Sequence, residues 1–150
     1  MRRVVVTGMG IISPVGSAVE AAWQAILAGE SGIGPITRFD VSNFPVRFGG
    51  QVKDFDSSRY FNTKELRRMD EFMHYGVAAG IQAVEDSGID FSKSDATRCG
   101  AICGAGIGGL GTIESEYHEY VKTGNPRKIS PFFVPATIIN MISEHLSIKY

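Results

Sequence analysis

Residues 98–111 read RCGAICGAGIGGLG, and the fold turns on what this stretch is. Residues 98–103 are mostly small or apolar and predict a buried strand. Gly104, Gly106, Gly108, Gly109 and Gly111 then crowd into eight positions, which leaves room for a neighbouring backbone or ligand to come close. Behind them the spacing predicts a helix with Thr112 as its cap, Ile113, Tyr117, Tyr120 and Val121 on its apolar side, and Gly124 as its stop. Strand, glycine bend and helix in that order form a unit of an α/β protein.

The chain opens the same way. Val4, Val5 and Val6 are a β-branched run that predicts a buried strand, ended by Gly8 and Gly10. Ser17 and Glu20 have the spacing of a capping box, Val19, Trp23, Ile26 and Leu27 recur at helical intervals, and Gly29 stands where a helix would end. Residues 30–60 lack a long period, although Val46, Phe48 and Val52 hint at a short strand. Asn62 and Glu65 form a second capping pattern. Leu66, Met69, Met73, Val77, Ile81 and Val84 follow as one stripe of a long helix that stops at Gly88. Gly76 and Gly80 lie inside it, where each costs about 1 kcal/mol relative to Ala. Their spacing predicts that another backbone packs closely there. Residues 125–135 contain three prolines and predict an ordered loop, and a last helix is expected from Ala136 to about Leu146, with Ile138, Ile142 and Leu146 as its edge. The pattern as a whole predicts an α/β fold with a mixed or parallel sheet covered on both faces.

Composition narrows the function. The chain has 150 residues, 43% hydrophobic and 21% charged, with a net charge of −1. That balance gives no sign of nucleic-acid binding. The opening RRVVV is broken by Gly8, Gly10, Ser13 and Pro14, so it does not read as a signal peptide, and no run approaches the length of a membrane span. A cytoplasmic, reducing location is the expectation. Cys99 and Cys103 lie four apart, on one face of the predicted strand, and read as two buried packing residues rather than a metal site.

Gly104, Gly106 and Gly109 fit the G-x-G-x-x-G spacing of a dinucleotide loop, so a nicotinamide-binding domain is one reading. Such a unit needs an acidic residue about 20 positions on, and residues 123–130 offer only basic ones. No Gly-Lys-Ser/Thr follows either glycine run, which excludes a P-loop. Cys103 with His74, His118 or His145 makes a weak case for a nucleophile and base. Lys64, Arg67 and Arg68 are expected to open the long helix, against its dipole, and Arg127 and Lys128 sit in the proline-flanked loop. These cations suit either an anionic partner or a solvated face.

VVVTGMGIISPVG, GAGIGGLGTIE and NPRKISPFFVPATIINM, in this order, resemble the bacterial β-ketoacyl-acyl carrier protein synthases of the elongating class II type, over essentially all 150 residues. The resemblance implies a thiolase-like fold, layered αβαβα in the full enzyme, and a homodimer. It implies chain elongation by decarboxylative Claisen condensation, with no cofactor and no metal. It also implies that this is the N-terminal part of the domain, stopping before the nucleophilic cysteine and both catalytic histidines, so the segment alone is expected to be inactive. Residue by residue it assigns Ile107 to the gate of the acyl pocket and Phe133 to an aromatic that lines the partner protomer's pocket. It assigns Lys64, Arg67, Arg68, Arg127 and Lys128 to docking the acidic acyl carrier protein. Cys103 stands where relatives often carry another small apolar residue. A non-catalytic subunit of the chain-length-factor kind shares the pattern. An incomplete sheet is expected to leave a large apolar face exposed.

Overall fold

The computed structural model describes residues 2–150. Helix α1 spans Val19–Leu27, and a two-stranded antiparallel sheet joins β1 (Ile33–Pro35) to β2 (Phe48–Gly50). Then come the short α2 (Thr63–Leu66), the long α3 (Glu71–Ser87), α4 (Leu110–Thr123), the short α5 (Phe133–Thr137) and α6 (Met141–Lys149).

The core lies along α3. Met73 is fully buried, with Phe61, Met69, Val77, Ile81 and Ile142 around it, and Leu66, Phe72, Cys103 and Leu146 packed on that cluster. Glycine spacing determines what sits on the two flanks of this helix. A Cβ at Gly76 would lie 2.6 Å from Ile142 Cδ1, and one at Gly80 would lie 2.6 Å from Leu146 Cδ1. The close neighbour expected at this pair is therefore α6, which fills the gaps with side chains rather than backbone. The backbone that approaches α3 comes from the opening arm. Gly8 and Gly10 press against the carbonyls of Ala83 and Ala79. The Met9 N–H donates to Asp86 Oδ2 at 2.9 Å, and the Ile11 N–H donates to Gln82 Oε1 at 3.1 Å.

Glycine stops behave as the sequence implies. Gly29, Gly88 and Gly124 all take positive φ just after their helices. At Gly29 the N–H of Glu30 reaches the Ala25 carbonyl and that of Gly29 reaches Ile26, the paired bonds of a Schellman turn. Asn62 and Glu65 form a full capping box.

Several expectations fail for identifiable reasons. The long stripe is two helices, because Asp70 caps α3 separately. Ser17 does not cap α1. Ala18 occupies that position, and the buried Ser17 hydroxyl has no partner. The side of α1 that packs inward is Ala22 and Ala25, whereas Trp23 and Ile26 remain 53% exposed. Helix α4 begins at Leu110 with Gly109 at the cap, three residues before the expected cap at Thr112. Residues 125–135 are not a plain loop, since Pro126–Lys128 is a 3-10 turn and α5 contains Pro135. Both prolines fall in first turns, where a missing N–H leaves nothing unsatisfied. The last helix starts at Met141 because Ile138 is extended.

The expected central sheet is absent among the described residues. Residues 2–12 and 99–105 form no strand ladder, Val4 is 94% exposed and Ile102 is 99% exposed. Cys99 is exposed and Cys103 half-buried, against the expectation that both are buried. A strand exists only through a paired neighbour, and none is present for these runs. Apolar side chains of these runs, Val4, Val5, Val6 and Ile102 among them, are exposed. The strand hinted near Phe48 does form, because Ile33, Gly34 and Pro35 pair with it.

Candidate functional site

Two basic segments are built by local hydrogen bonding. Asn62 Oδ1 accepts from the N–H groups of Lys64 and Glu65, both at 3.0 Å, while Glu65 Oε2 accepts from the Asn62 N–H at 2.8 Å. This box fixes the single turn of α2 that carries Lys64. Arg67 ends α2 and Arg68 follows it, before α3 begins at Glu71. The three cations therefore do not oppose the dipole of the long helix. Arg67 sits at a helix C-terminus, where positive charge is favoured. In the second segment Asn125 Oδ1 accepts from the Arg127 N–H at 3.0 Å and holds the turn that presents Arg127 and Lys128.

The first segment touches the stretch that follows the second. The Arg68 guanidinium carbon stands 4.5 Å from the centroid of the Phe132 ring, a cation–π contact. Lys64, Arg67, Arg68, Arg127 and Lys128 are all exposed. None of them takes part in an ion pair among the described residues, where the pairs are Arg38 with Glu71 and Lys93 with Asp90. Their charge is uncompensated by close partners.

Next to this surface lies the glycine bend. Gly108 has φ +90° and is pressed against the Thr137 carbonyl. A Cβ at Gly109 would meet the Ala136 carbonyl at 2.7 Å, Thr137 Cα at 2.8 Å and Asp70 Cβ at 3.2 Å. The Gly109 N–H donates to the Thr137 carbonyl at 3.0 Å. Close approach is thus needed at Gly108 and Gly109, whereas Gly104 and Gly106 have open space around them. Ile107, just before this clamp, is 70% exposed. Phe133 opens α5, half-buried, beside the Phe132 that carries Arg68.

Asp70 ties these parts together, and sequence reasoning missed it. Its Oδ2 accepts from the Thr112 N–H at 2.8 Å and the Thr112 hydroxyl at 2.7 Å, while Oδ1 accepts from the Phe72 N–H at 3.4 Å. One carboxylate thereby caps both α3 and α4. The available signal was an aspartate directly before Glu71, a common N-cap choice. The same contact argues against the dinucleotide reading. A pyrophosphate would sit at the N-terminus of α4, where the chain's own carboxylate already takes the Thr112 N–H. No strand feeds the bend either.

The titratable groups do not assemble a catalytic pair among the described residues. Cys99 Sγ contacts the Asp95 carbonyl, and no cysteine meets a histidine in the hydrogen-bond network. His118 is exposed and His145 half-buried. His74 packs on Phe61 at 5.5 Å between ring centroids, and its Nε2 is buried without a partner. Burial pushes the His74 imidazole below its ordinary range, opposed by the Leu66 backbone and by the charges of Glu71 and Asp70. Arg38 forms a paired contact with Glu71 and also donates to the Tyr75 hydroxyl at 2.8 Å. No group of three or more potential metal ligands occurs among the described residues.

Comparison with known proteins decides what this arrangement is. Residues 1–150 match the family model described as β-ketoacyl synthase, N-terminal domain. The chain belongs to this family. It is 56% identical over 147 residues to 3-oxoacyl-(acyl-carrier-protein) synthase 2 of Vibrio cholerae serotype O1, covering 98% of this chain and 35% of that relative. It therefore spans about a third of the length of the curated relatives it matches. Among solved structures, the ishigamide ketosynthase/chain length factor superposes with a TM-score of 0.81 at 30% identity, over 98% of this chain and 36% of that one. A type II polyketide ketosynthase in complex with its acyl-carrier protein gives a TM-score of 0.80 at 29% identity, over 100% of this chain and 39% of that one. The fold class is accordingly α/β, with the course of the N-terminal half of a thiolase-like fold. No helix among the described residues is long and apolar enough to cross a membrane.

Proposed function

We propose that this chain is the N-terminal segment of a β-ketoacyl-acyl carrier protein synthase of fatty acid elongation, a cytoplasmic homodimer when whole. The whole enzyme takes an acyl group from its carrier onto a cysteine as a thioester. Malonyl carrier protein loses CO2, the resulting carbanion attacks the thioester carbonyl, and the cysteine thiolate leaves. The cysteine and the two histidines of that step lie outside the 150 residues, so the segment alone forms no product. Its share of the work is recognition: Lys64, Arg67, Arg68, Arg127 and Lys128 dock the acidic carrier, Ile107 gates the acyl pocket, and Phe133 lines the pocket of the partner protomer.

The observation that carries this reading is the pair of exposed basic segments, the first in contact through Arg68 with Phe132, which follows the second, and both with charges that have no ion-pair partner among the described residues. Exposed cations of this kind attract an acidic protein over several ångströms and are screened by salt. Ile107 and Phe133 are both apolar, as an alkyl chain requires, since each buried CH2 contributes about 0.8 kcal/mol.

The test uses the full-length enzyme with Lys64→Glu and Arg67→Glu combined, and measures carrier protein affinity by fluorescence anisotropy across a salt series. The expected result is a loss of affinity that is largest at low salt and shrinks as salt rises. Equal affinity of variant and parent at low salt refutes the docking role. Acylation of a cysteine by acyl carrier protein in the same enzyme separates a synthase from a chain-length-factor-like subunit, which takes up no acyl group.

A further inference from the structure

We propose that Asp70 is a positioning residue that sets the acyl-chain preference of the pocket by holding the glycine bend in place, and this rests on the reading of Ile107 as the gate. Three contacts carry the inference. Asp70 Oδ2 accepts from both the N–H and the hydroxyl of Thr112, in the first turn of α4. The Asp70 side chain also closes one side of Gly109, where an added Cβ would come within 3.2 Å of Asp70 Cβ. The same Cβ would also meet the Ala136 carbonyl at 2.7 Å and Thr137 Cα at 2.8 Å. Gly109 is therefore enclosed by the start of α3 and the end of α5, and Ile107 stands two residues before it, next to Gly108, which is pressed on the Thr137 carbonyl. On the other side the chain is packed at Cys103, while Gly104 and Gly106 between it and Ile107 have open space around them.

A charged acceptor suits this task. Hydrogen bonds to an ionised carboxylate are roughly twice as strong as neutral ones. Two of them on one oxygen, with the second oxygen bonded to the Phe72 N–H, leave the side chain little rotational freedom. Asp70 is also two residues from Arg68, whose guanidinium lies over Phe132, next to Phe133. The carrier-docking turn is thus attached to the gate through Asp70 and to the second pocket residue through Arg68. Where the carboxylate is lost, the α4 start is released and Ile107 samples more positions, so discrimination between short and long acyl chains weakens or shifts.

The experiment compares acylation of the full-length enzyme by acyl carrier proteins of increasing chain length, for Asp70→Asn, Thr112→Val, Thr112→Ser and Ile107→Ala. Asp70→Asn is expected to move the long-to-short rate ratio by about fivefold, the factor that matches one lost hydrogen bond, in the direction taken by Ile107→Ala. Thr112→Val, which keeps the backbone bond and loses the hydroxyl, is expected to move it the same way by less, and Thr112→Ser to keep the parental ratio. Asp90→Ala, which removes the cap of a distant 3-10 turn, serves as the control for general destabilisation and leaves the ratio unchanged. If Asp70→Asn does not fold, the Thr112 pair decides alone. A parental ratio in Asp70→Asn and Thr112→Val, with a shifted ratio in Ile107→Ala, overturns the role of Asp70 and leaves the gate standing. A parental ratio in all of them overturns both.

Discussion

Replacing Gly76 with Ala pits helix propensity against packing in the middle of α3. Propensity alone favours Ala by about 1 kcal/mol. The new Cβ, however, would stand 2.6 Å from Ile142 Cδ1 and 3.1 Å from both Cγ atoms of the same side chain. Ile142 is only 5% exposed and β-branched, so it has little freedom to turn aside. Overpacking of this kind costs about 1–3 kcal/mol. The balance is a net loss of about 1 kcal/mol, or about 2–4 °C in melting temperature for a chain of this size. Gly80→Ala provides the contrast, because its clash at 2.6 and 2.7 Å is with the terminal methyls of Leu146, which can swing away. It is expected to be neutral or stabilising. Ile142→Val removes Cδ1, the atom in closest conflict, so combining it with Gly76→Ala should cost less than the two single changes added together. Urea denaturation followed by far-UV circular dichroism measures the four variants against the parent. A Gly76→Ala protein more stable than the parent by the full propensity gain, with no coupling to Ile142, would refute the packing argument.

Two further predictions concern pH. Because burial holds His74 below its ordinary value of 6.5, the unfolded chain binds a proton there that the folded chain refuses. Its contribution to stability is therefore constant above that value and falls as pH drops below it. Denaturation midpoints across that range should lose this slope in His74→Gln. At Glu71, burial pushes the carboxyl up, but hydrogen bonds from Arg38 and Tyr75 and the Arg38 charge outweigh it and hold the carboxyl below 4.5. That contribution is present above the ordinary carboxylate range and is lost as pH falls through the folded value. Since both side chains are nearly half exposed, Arg38→Ala should cost no more than about 1 kcal/mol, and raised salt should shrink the loss in the same denaturation assay.

What was legible in the sequence was what short-range chemistry decides. Gly29, Gly88 and Gly124 end helices because only a left-handed residue closes those turns, and Asn62 with Glu65 caps because donor and acceptor lie three residues apart. The break at residues 67–70 was hidden, since Leu66, Met69 and Met73 keep helical spacing across it, and all of them reach the same core. The strands at residues 4–6 and 98–103 were misread for a different reason. β-branched and small apolar residues express a preference for extended backbone, but a ladder needs a partner from elsewhere, and no local signal tells whether one is present. Of the candidate site, the basic residues stood out by their charge, and their docking role, like the roles of Ile107 and Phe133, came through resemblance. Asp70 was passed over because its second partner, Thr112, lies 42 positions away.

Helix α3 has a neighbour on nearly every side. The opening arm rests on Ala79 and Ala83, α6 is seated over Gly76 and Gly80, and the core claims Met73, Val77 and Ile81. Two of its exposed carboxylates are engaged as well, with Glu71 tethering Arg38 and Asp86 holding the Met9 amide. Such a rod has almost no idle surface on which substitutions can drift. The missing methyl groups keep its girth at the minimum, so thickening at Gly76 presses on α6, and this stretch of sequence is held in place from several directions at once.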